Sequence, residues 1–332
     1  MRTITKFSVL VLACLLAACG GETPEAVAVP VMPANTNPGK ATAVASSSLS
    51  TCNKECLVGM VDQYVAALVA HDPAQAPFAA DAKFTENTVV LKLGDGLWGT
   101  ASALPGPYQL KFGDPQTGNA AFYLLMEESG APIWLSGRLH VSNGKIDELE
   151  TVIIRSGSGF SGFDWTEVDP EWTSIVSPEQ RNSRAELAAI ADGYVETLQS
   201  NLSGHVQFDA SCNRIENGVI TANNPKATSG IGAASCQENV DGGMWVYITE
   251  INPRRILVLD EELGIAMGVF MFHHSGQHDH AMVNGERVEY SGATRRPFAT
   301  VIPEMFKIKD GKIYRIIAMM STIPYRSQSN WD

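Results

Sequence analysis

The chain has 332 residues, 45% of them apolar, which is enough to fill about two domain cores. Its 24 basic and 36 acidic side chains give a formal charge of −12. No cluster of Lys and Arg interleaved with aromatic residues occurs, which argues against nucleic acid, whose binding needs several phosphate-neutralising cations.

Arg2 and Lys6 precede an apolar run, Phe7 to Leu16, that is too short to span a bilayer as a helix. It ends in Leu16-Ala17-Ala18-Cys19, which resembles the bacterial lipoprotein signal. The resemblance implies cleavage after residue 18 and a diacylglycerol on the Cys19 sulfur. An ordinary secretory signal with an incidental cysteine is the alternative. Gly20 and Gly21 follow, with no Asp beside the cysteine, and by the same resemblance this favours the outer membrane, facing the periplasm. Loss of residues 1–18 removes two cations and no acid, leaving 22 basic and 36 acidic side chains, or −14. Membrane attachment would then rest on the lipid rather than on anionic headgroups. Residues 19–50, rich in Pro, Ala, Thr, Ser and Val, read as a tether.

Cys52, Cys56, Cys212 and Cys236 remain, an even number suited to an oxidising compartment. We pair Cys52 with Cys56 and Cys212 with Cys236. Four cysteines allow three connectivities, and the sequence leaves the other two open. No pair has the Cys-x2-Cys spacing of structural zinc.

One stretch occurs twice. Leu57 to Val90 aligns without a gap on Leu187 to Ile220, with ten identities in 34 positions: Leu57, Asp62, Tyr64, Val65, Leu68, Phe78, Ala80, Glu86, Asn87 and Val89 recur 130 residues later. Chance would supply about two. The repeat is long enough to be a domain.

The first domain, 51–155, opens with Leu57, Met60, Val61, Tyr64, Val65, Leu68 and Val69 at helical spacing. Pro73 follows this helix, and a short second helix is expected over Ala74 to Ala80. Strands are expected over Lys83–Leu93 with a turn at Asn87, then Tyr108–Phe112, Ala120–Glu127, Pro132–Val141 and Lys145–Ile154, the last two joined by Ser142-Asn143-Gly144. Residues 156–182 form a linker containing Phe160, Phe163, Trp165 and Trp172. The second domain, 183–332, repeats the plan. A helix over Ala185–Ser200 leads to a turn at Glu216-Asn217-Gly218, a long excursion over Thr221–Asp241 and a helix over Gly243–Ile251. Strands follow at Arg255–Asp260, Gly264–His273, Thr300–Lys307 and Lys312–Ser321. The second domain's extra length falls in that excursion and in a loop over Ser275–Pro297. A helix followed by an antiparallel sheet, twice, is an α+β fold.

The helix ending in Tyr64-x-x-x-Leu68, with Phe78-Ala79-x-Asp81 after it and a last Asn-Gly-Lys-Ile hairpin, resembles the nuclear-transport-factor-2-like, or SnoaL-like, superfamily. The tandem form also resembles an uncharacterised secreted family of bacteria and fungi. The resemblance implies two cones, each a helix packed on a curved antiparallel sheet around a pocket. It further implies that chemistry, where present, runs without a cofactor, through a buried Asp, Glu or His with Tyr, Trp or Arg orienting the substrate. Burial raises a carboxyl pKa toward neutrality and makes it a useful acid or base.

Glu86 and Glu216, each followed by Asn (Asn87 and Asn217), are acid/base candidates, although turn chemistry alone also accounts for the asparagines. Tyr64 and Tyr194 lie on the apolar helix faces, as pocket hydroxyls or as core. His273 and His274 end an apolar strand, and alternation points one of them inward. His278 and His280 follow, but the spacing matches no structural metal pattern, so no metal is assigned. Arg296 and Arg138 are candidates for an anion or for a buried ion pair. Trp98 and Tyr247 are candidate pocket walls. The catalytic set is therefore Tyr194, Glu216, His273 and Arg296. The binding set is Tyr64, Glu86, Trp98, Arg138, Asn217 and Tyr247. No phosphate-cradling, dinucleotide or serine-nucleophile motif is present. Three readings stand: a proton-transfer enzyme acting on a small apolar or aromatic molecule, a binding protein for such a molecule, and a scaffold with filled cones. The sequence leaves the oligomeric state open.

Overall fold

The structure, a computed structural model, describes residues 52–157 and 160–331, all within one compact unit, Ser46–Asp332. The signal, Cys19 and the whole tether lie outside the described residues. The first half comprises α1 (Lys54–Val69), β1 (Phe78–Glu86), β2 (Val89–Leu91), β3 (Ala101–Ala103), β4 (Gln109–Asp114), β5 (Asn119–Glu128), β6 (Ala131–Ser142) and β7 (Lys145–Arg155). The second comprises α2 (Arg184–Ser200), β8 (Gln207–Glu216), β9 (Val219–Ala222), α3 (Cys236–Asp241), β10 (Glu250–Asp260) and β11 (Ile265–His274), then β12 (His280–Val283), β13 (Glu286–Glu289), β14 (Phe298–Lys309), β15 (Lys312–Ala318) and β16 (Ser321–Ile323).

The two sheets run β2-β1-β7-β6-β5 and β9-β8-β15-β14-β11-β10, so the repeat in sequence is a repeat in topology. Both sheets are curved and largely antiparallel, as expected, with one parallel pair each: β1 with β7 and β8 with β15, because the strand after each helix runs alongside the last long strand of its own half. Both helices start on capping side chains. Asn53 accepts from the Cys56 amide, and Ser183 and Glu186 form a reciprocal capping box; each cap stabilises by about 1 kcal/mol. The expected helix over Ala74–Ala80 is a single 3-10 turn, Pro73–Gln75, because Phe78 already pairs with Ile146. The one over Gly243–Ile251 shrinks to the 3-10 turn Met244–Tyr247, since Glu250 and Ile251 join β11 through His273 and Phe272.

Each half packs its helix on the inner face of its sheet. In the first, Leu57, Val61, Tyr64 and Leu68 meet Phe84, Phe122, Leu124 and Leu149. In the second, Leu187, Tyr194, Val195 and Leu198 meet Phe270, Phe306, Ile313 and Ile316. The outer faces of the two sheets then cover each other. Tyr108, Tyr123, Trp134 and Val152 belong to one core with Val258, Met267, Val269, Met271, Val301 and Met305. Each buried apolar side chain contributes about 1.5–3 kcal/mol, so this seam is a core in its own right. The stretch 156–182 seals its edge: Trp172 is fully buried, and the indole NH groups of Trp134 and Trp165 donate to Gly162 O and Gly218 O.

Polar groups lock the seam. Glu150 accepts from Arg138 of its own half at 3.2 Å and from Arg255 of the other at 2.5 and 3.0 Å. Buried Asp114 accepts from Arg184 at 2.6 Å and from the Leu259 amide at 3.0 Å.

Both disulfides form as expected, Cys52–Cys56 and Cys212–Cys236. The second spans 24 residues and clamps α3 against β8. Closing a loop of that length is worth about 3 kcal/mol. Replacing both cysteines with alanine is expected to lower unfolding free energy by about that amount, read by urea denaturation. The same change at Cys52 and Cys56, which close a far smaller loop, should cost clearly less.

A candidate proton-transfer site in the second cone

The two cones share a topology but not a filling. In the first, Tyr64, Phe78, Trp98 and Phe122 stand ring to ring, with centroids 5.8–6.5 Å apart. Glu86 there accepts from the Leu97 amide at 2.7 Å and pairs with Arg155 at 3.5 Å. Tyr64, Trp98 and Glu86 thus hold the first cone shut rather than line a pocket. The second cone holds a cavity of about 740 Å³, within the range that accepts a small organic molecule.

Matched positions explain the difference. The row Glu86–Thr151–Gly137–Phe122 across the first sheet corresponds to Glu216–Ala318–Glu304–Gly268 across the second. At Phe122 the second half has Gly268, and at Gly137 it has Glu304. One row away, Phe84 is replaced by Arg214 at the repeat's spacing of 130. At Arg214 and Glu304 a charged cluster replaces apolar packing, while the Phe270 ring folds over Gly268.

The floor of the cavity is that cluster. Arg214 is buried and sits 3.4 Å from the Glu216 carboxylate. Its guanidinium donates to Thr221 Oγ1 at 3.0 Å, to the Tyr194 hydroxyl at 3.5 Å and to Asn239 Oδ1 at 3.4 Å. Glu304 is 2% exposed and interacts with Tyr194, Arg214 and Glu216. Burial, reinforced by the Glu216 charge, pushes its carboxyl up to about 8, despite the opposing pull of Arg214. Burial likewise holds the Tyr194 phenol well above its usual range. A carboxyl that gains and loses a proton near neutrality therefore sits among a phenol, a guanidinium and a second carboxylate.

The wall is aromatic. His274 is stacked between Phe298, 4.0 Å away at 7°, and Tyr247, 5.2 Å away at 22°. Burial pushes its imidazole down to about 4, so it is neutral at neutral pH, and its Nδ1 is buried without a partner. Phe272, Ile302, Ile248 and Trp245 complete the apolar lining. The mouth is lined by residues of both insertions that distinguish this half, among them Ile231 and Thr294.

Of the sequence candidates, Tyr194, Glu216, Asn217 and Tyr247 line the cavity. The Asn217 amide is committed elsewhere: it accepts from Met320 N at 2.6 Å and donates to Met320 O at 3.2 Å, bridging β8 to the chain after β15. Asn87 binds the Ile153 amide in the same manner, so turn and clamp account for both asparagines. His273 is corrected to His274. His273 lies on the outer face, with Nε2 3.1 Å from Asn252 O, and strand alternation places only its neighbour inside. Arg296 is exposed and outside the cavity. Arg138 is a seam residue, paired with Glu148 and Glu150. Among the described residues no group of His, Cys, Asp and Glu has metal-site geometry.

Sequence reasoning missed Arg214 and Glu304. For Glu304 the signal was available, a charged residue between apolar Pro303 and Met305, the same pattern that singled out Arg138; Arg214, between Asn213 and Ile215, carried no such signal.

A family model described as "Domain of unknown function (DUF8021)" is similar to residues 180–320, the stretch from just before α2 to just after β15. No curated protein matches the chain. Two solved structures are similar over part of it. AclR from Streptomyces galilaeus shares 13% identity over 43% of this chain and 83% of its own, with a TM-score of 0.28. LinA shares 13% identity over 44% of this chain and 90% of its own, with a TM-score of 0.25. Likenesses of this size carry no argument about activity.

Proposed function

We propose that the second cone is the active site of a cofactor-independent enzyme that moves a proton on a small, largely apolar molecule, as a lyase, isomerase or hydrolase does. The observation that carries this reading is Glu304, a buried carboxyl poised near neutrality and facing a 740 Å³ cavity. Glu304 takes the substrate proton. Tyr194 and Arg214 donate toward the oxygen on which negative charge develops. Glu216 holds the guanidinium in place. The first cone serves as the structural partner that covers the outer face of the catalytic sheet. A second reading, binding without turnover, draws on the apolar and aromatic walls.

The test begins with protein purified without stripping bound molecules. The extracted ligand is returned to fresh protein in D2O and followed by mass spectrometry. Deuterium incorporation or a rearranged product is expected, and neither should occur with Glu304→Gln. A ligand that comes back unchanged and unlabelled would remove the enzyme reading and leave the binding one.

We further propose that the chain is anchored to the outer membrane, facing the periplasm, through lipid on Cys19. The Leu16-Ala17-Ala18-Cys19 sequence supports this. Radiolabelled palmitate should be incorporated in a bacterial host, and Cys19→Ser should abolish the labelling. Label retained in the variant would refute the anchor.

A further inference from the structure

We propose that the cavity selects an elongated molecule with a hydrogen-bonding group at each end, and that it rejects anions of the same shape. This rests on the second cone being a ligand site, but not on its being catalytic.

The floor holds one fixed cation, Arg214, facing two carboxyl groups, Glu216 and Glu304. With Glu304 protonated the cluster is neutral, and with Glu304 ionised it is negative. In neither state is positive charge left over for a ligand carboxylate, sulfonate or phosphate, and burying an unpaired anion costs several kcal/mol. A ligand cation is balanced when Glu304 ionises, so the count of charges excludes anions only. The other titratable groups facing the cavity, Tyr194, Tyr247 and His274, are all held neutral at pH 7 by burial. Arg295 and Arg296 lie beside the mouth but are exposed, where water and salt screen them.

The two-ended shape comes from strand register. Glu304 pairs with Gly268, and His274 pairs with Phe298, six positions away along the same two strands. At about 3.3 Å per residue that is up to about 20 Å along the sheet. The residues between them on the inner face, Phe270, Phe272, Thr300 and Ile302, offer no charge. The near end is the floor cluster. The far end is His274, which lines the cavity, interacts with the Phe298 backbone and has its Nδ1 buried without a partner. A buried polar atom without a partner is costly, and a ligand hydroxyl, amide or carbonyl that reaches it removes that cost.

The test uses four matched probes and titration calorimetry at pH 7 on the full mature chain. The probes are 4,4′-bis(hydroxymethyl)biphenyl, 4-biphenylmethanol, biphenyl-4-carboxylate and 4-biphenylmethylammonium. The diol should bind more tightly than the mono-alcohol, with the carboxylate about ten-fold or more below both the mono-alcohol and the ammonium. His274→Phe, which keeps the ring stack, should remove the diol's advantage and leave the mono-alcohol in place. Glu216→Gln uncovers the Arg214 charge and should raise carboxylate affinity about ten-fold, whereas a purely structural role would shift all four probes together. The proposal is overturned by a carboxylate that matches the mono-alcohol, by a diol with no advantage, or by no probe binding at all. If Glu216→Gln does not fold, the wild-type ranking and His274→Phe still decide. Isotope exchange on the co-purified ligand is read separately, so the probes can rank as expected in a protein that catalyses nothing.

Discussion

Glu304→Gln is expected to abolish proton transfer while making the protein more resistant to alkali. The variant keeps the shape and hydrogen-bonding capacity of the protonated acid but cannot take up or release a proton. Loss of a positioned general acid or base costs about 10²–10⁴-fold in rate, and wild-type isotope exchange should rise with pH to a plateau above about 8, as the basic form accumulates. The stability effect has a defined sign. The carboxyl titrates near 4.5 when unfolded and near 8 when folded. Between these values the folded chain holds a proton that the unfolded chain releases. The contribution is therefore fully present below 4.5 and lost as pH rises through 8. The gap corresponds to roughly 5 kcal/mol. Two other buried groups also titrate. His274, held down to about 4, withdraws stability as pH falls below 6.5, and Lys307, held down to about 8, adds stability as pH rises through its own window. The difference between wild type and variant cancels both. Urea unfolding at pH 5 and pH 9 should show the variant gaining on wild type by a few kcal/mol at the higher pH. Curves that stay parallel across that range would show that Glu304 is ionised in the folded protein throughout, and its role as a proton carrier would fall with them.

Glu150→Gln is expected to cost about 3–5 kcal/mol of stability. One carboxylate, 3% exposed, balances Arg138 from the first half and Arg255 from the second. Glutamine keeps the shape but leaves two guanidinium groups with too little negative charge inside a packed seam. Breaking a buried pair by removing one partner is costly because the remaining charge stays desolvated. Arg138 retains Glu148, which is more exposed, so most of the loss falls on Arg255. Because the seam is a shared apolar core, unfolding should remain a single transition with a lowered midpoint. A loss below about 1 kcal/mol would reduce Glu150 to the weight of a surface pair. Two separate transitions would show that the halves do not depend on each other.

The legible part of the fold was local. Helical spacing at Leu57, Val61, Tyr64 and Leu68, and again at Leu187, Ala191, Tyr194 and Leu198, placed both helices within a residue or two of where they lie. Alternation and Asn-Gly turns placed the long strands, and the repeat of Leu57–Val90 foretold two sheets of one topology. What failed were short segments such as Ala74–Ala80 and Gly243–Ile251. There helix propensity was weak and sheet pairing to distant residues prevailed. The parallel pairing of β1 with β7 was illegible for the same reason, since no local pattern records which strand comes to lie beside which.

The candidate site divides along the same line. Alternation required one of His273 and His274 to face inward, but which one depended on the sheet face that α2 covers and the face that the first half covers. Glu86 and Glu216 occupy one position in the repeat, yet Glu86 is tied to a backbone amide while Glu216 faces an open cavity. That outcome rests on Phe84, Phe122 and Gly137 standing opposite Arg214, Gly268 and Glu304, positions brought together only across strands. By itself the sequence determined the duplication, the α+β class, the acidic balance and which residue types were available for chemistry. These follow from periodicity, composition and chain order, and all of them act over a few residues. The tertiary structure alone decided which cone is open, which carboxyl is buried and which arginine is buried at the cavity floor. Burial and pKa are set by neighbours distant in the chain, and strand register decides who those neighbours are.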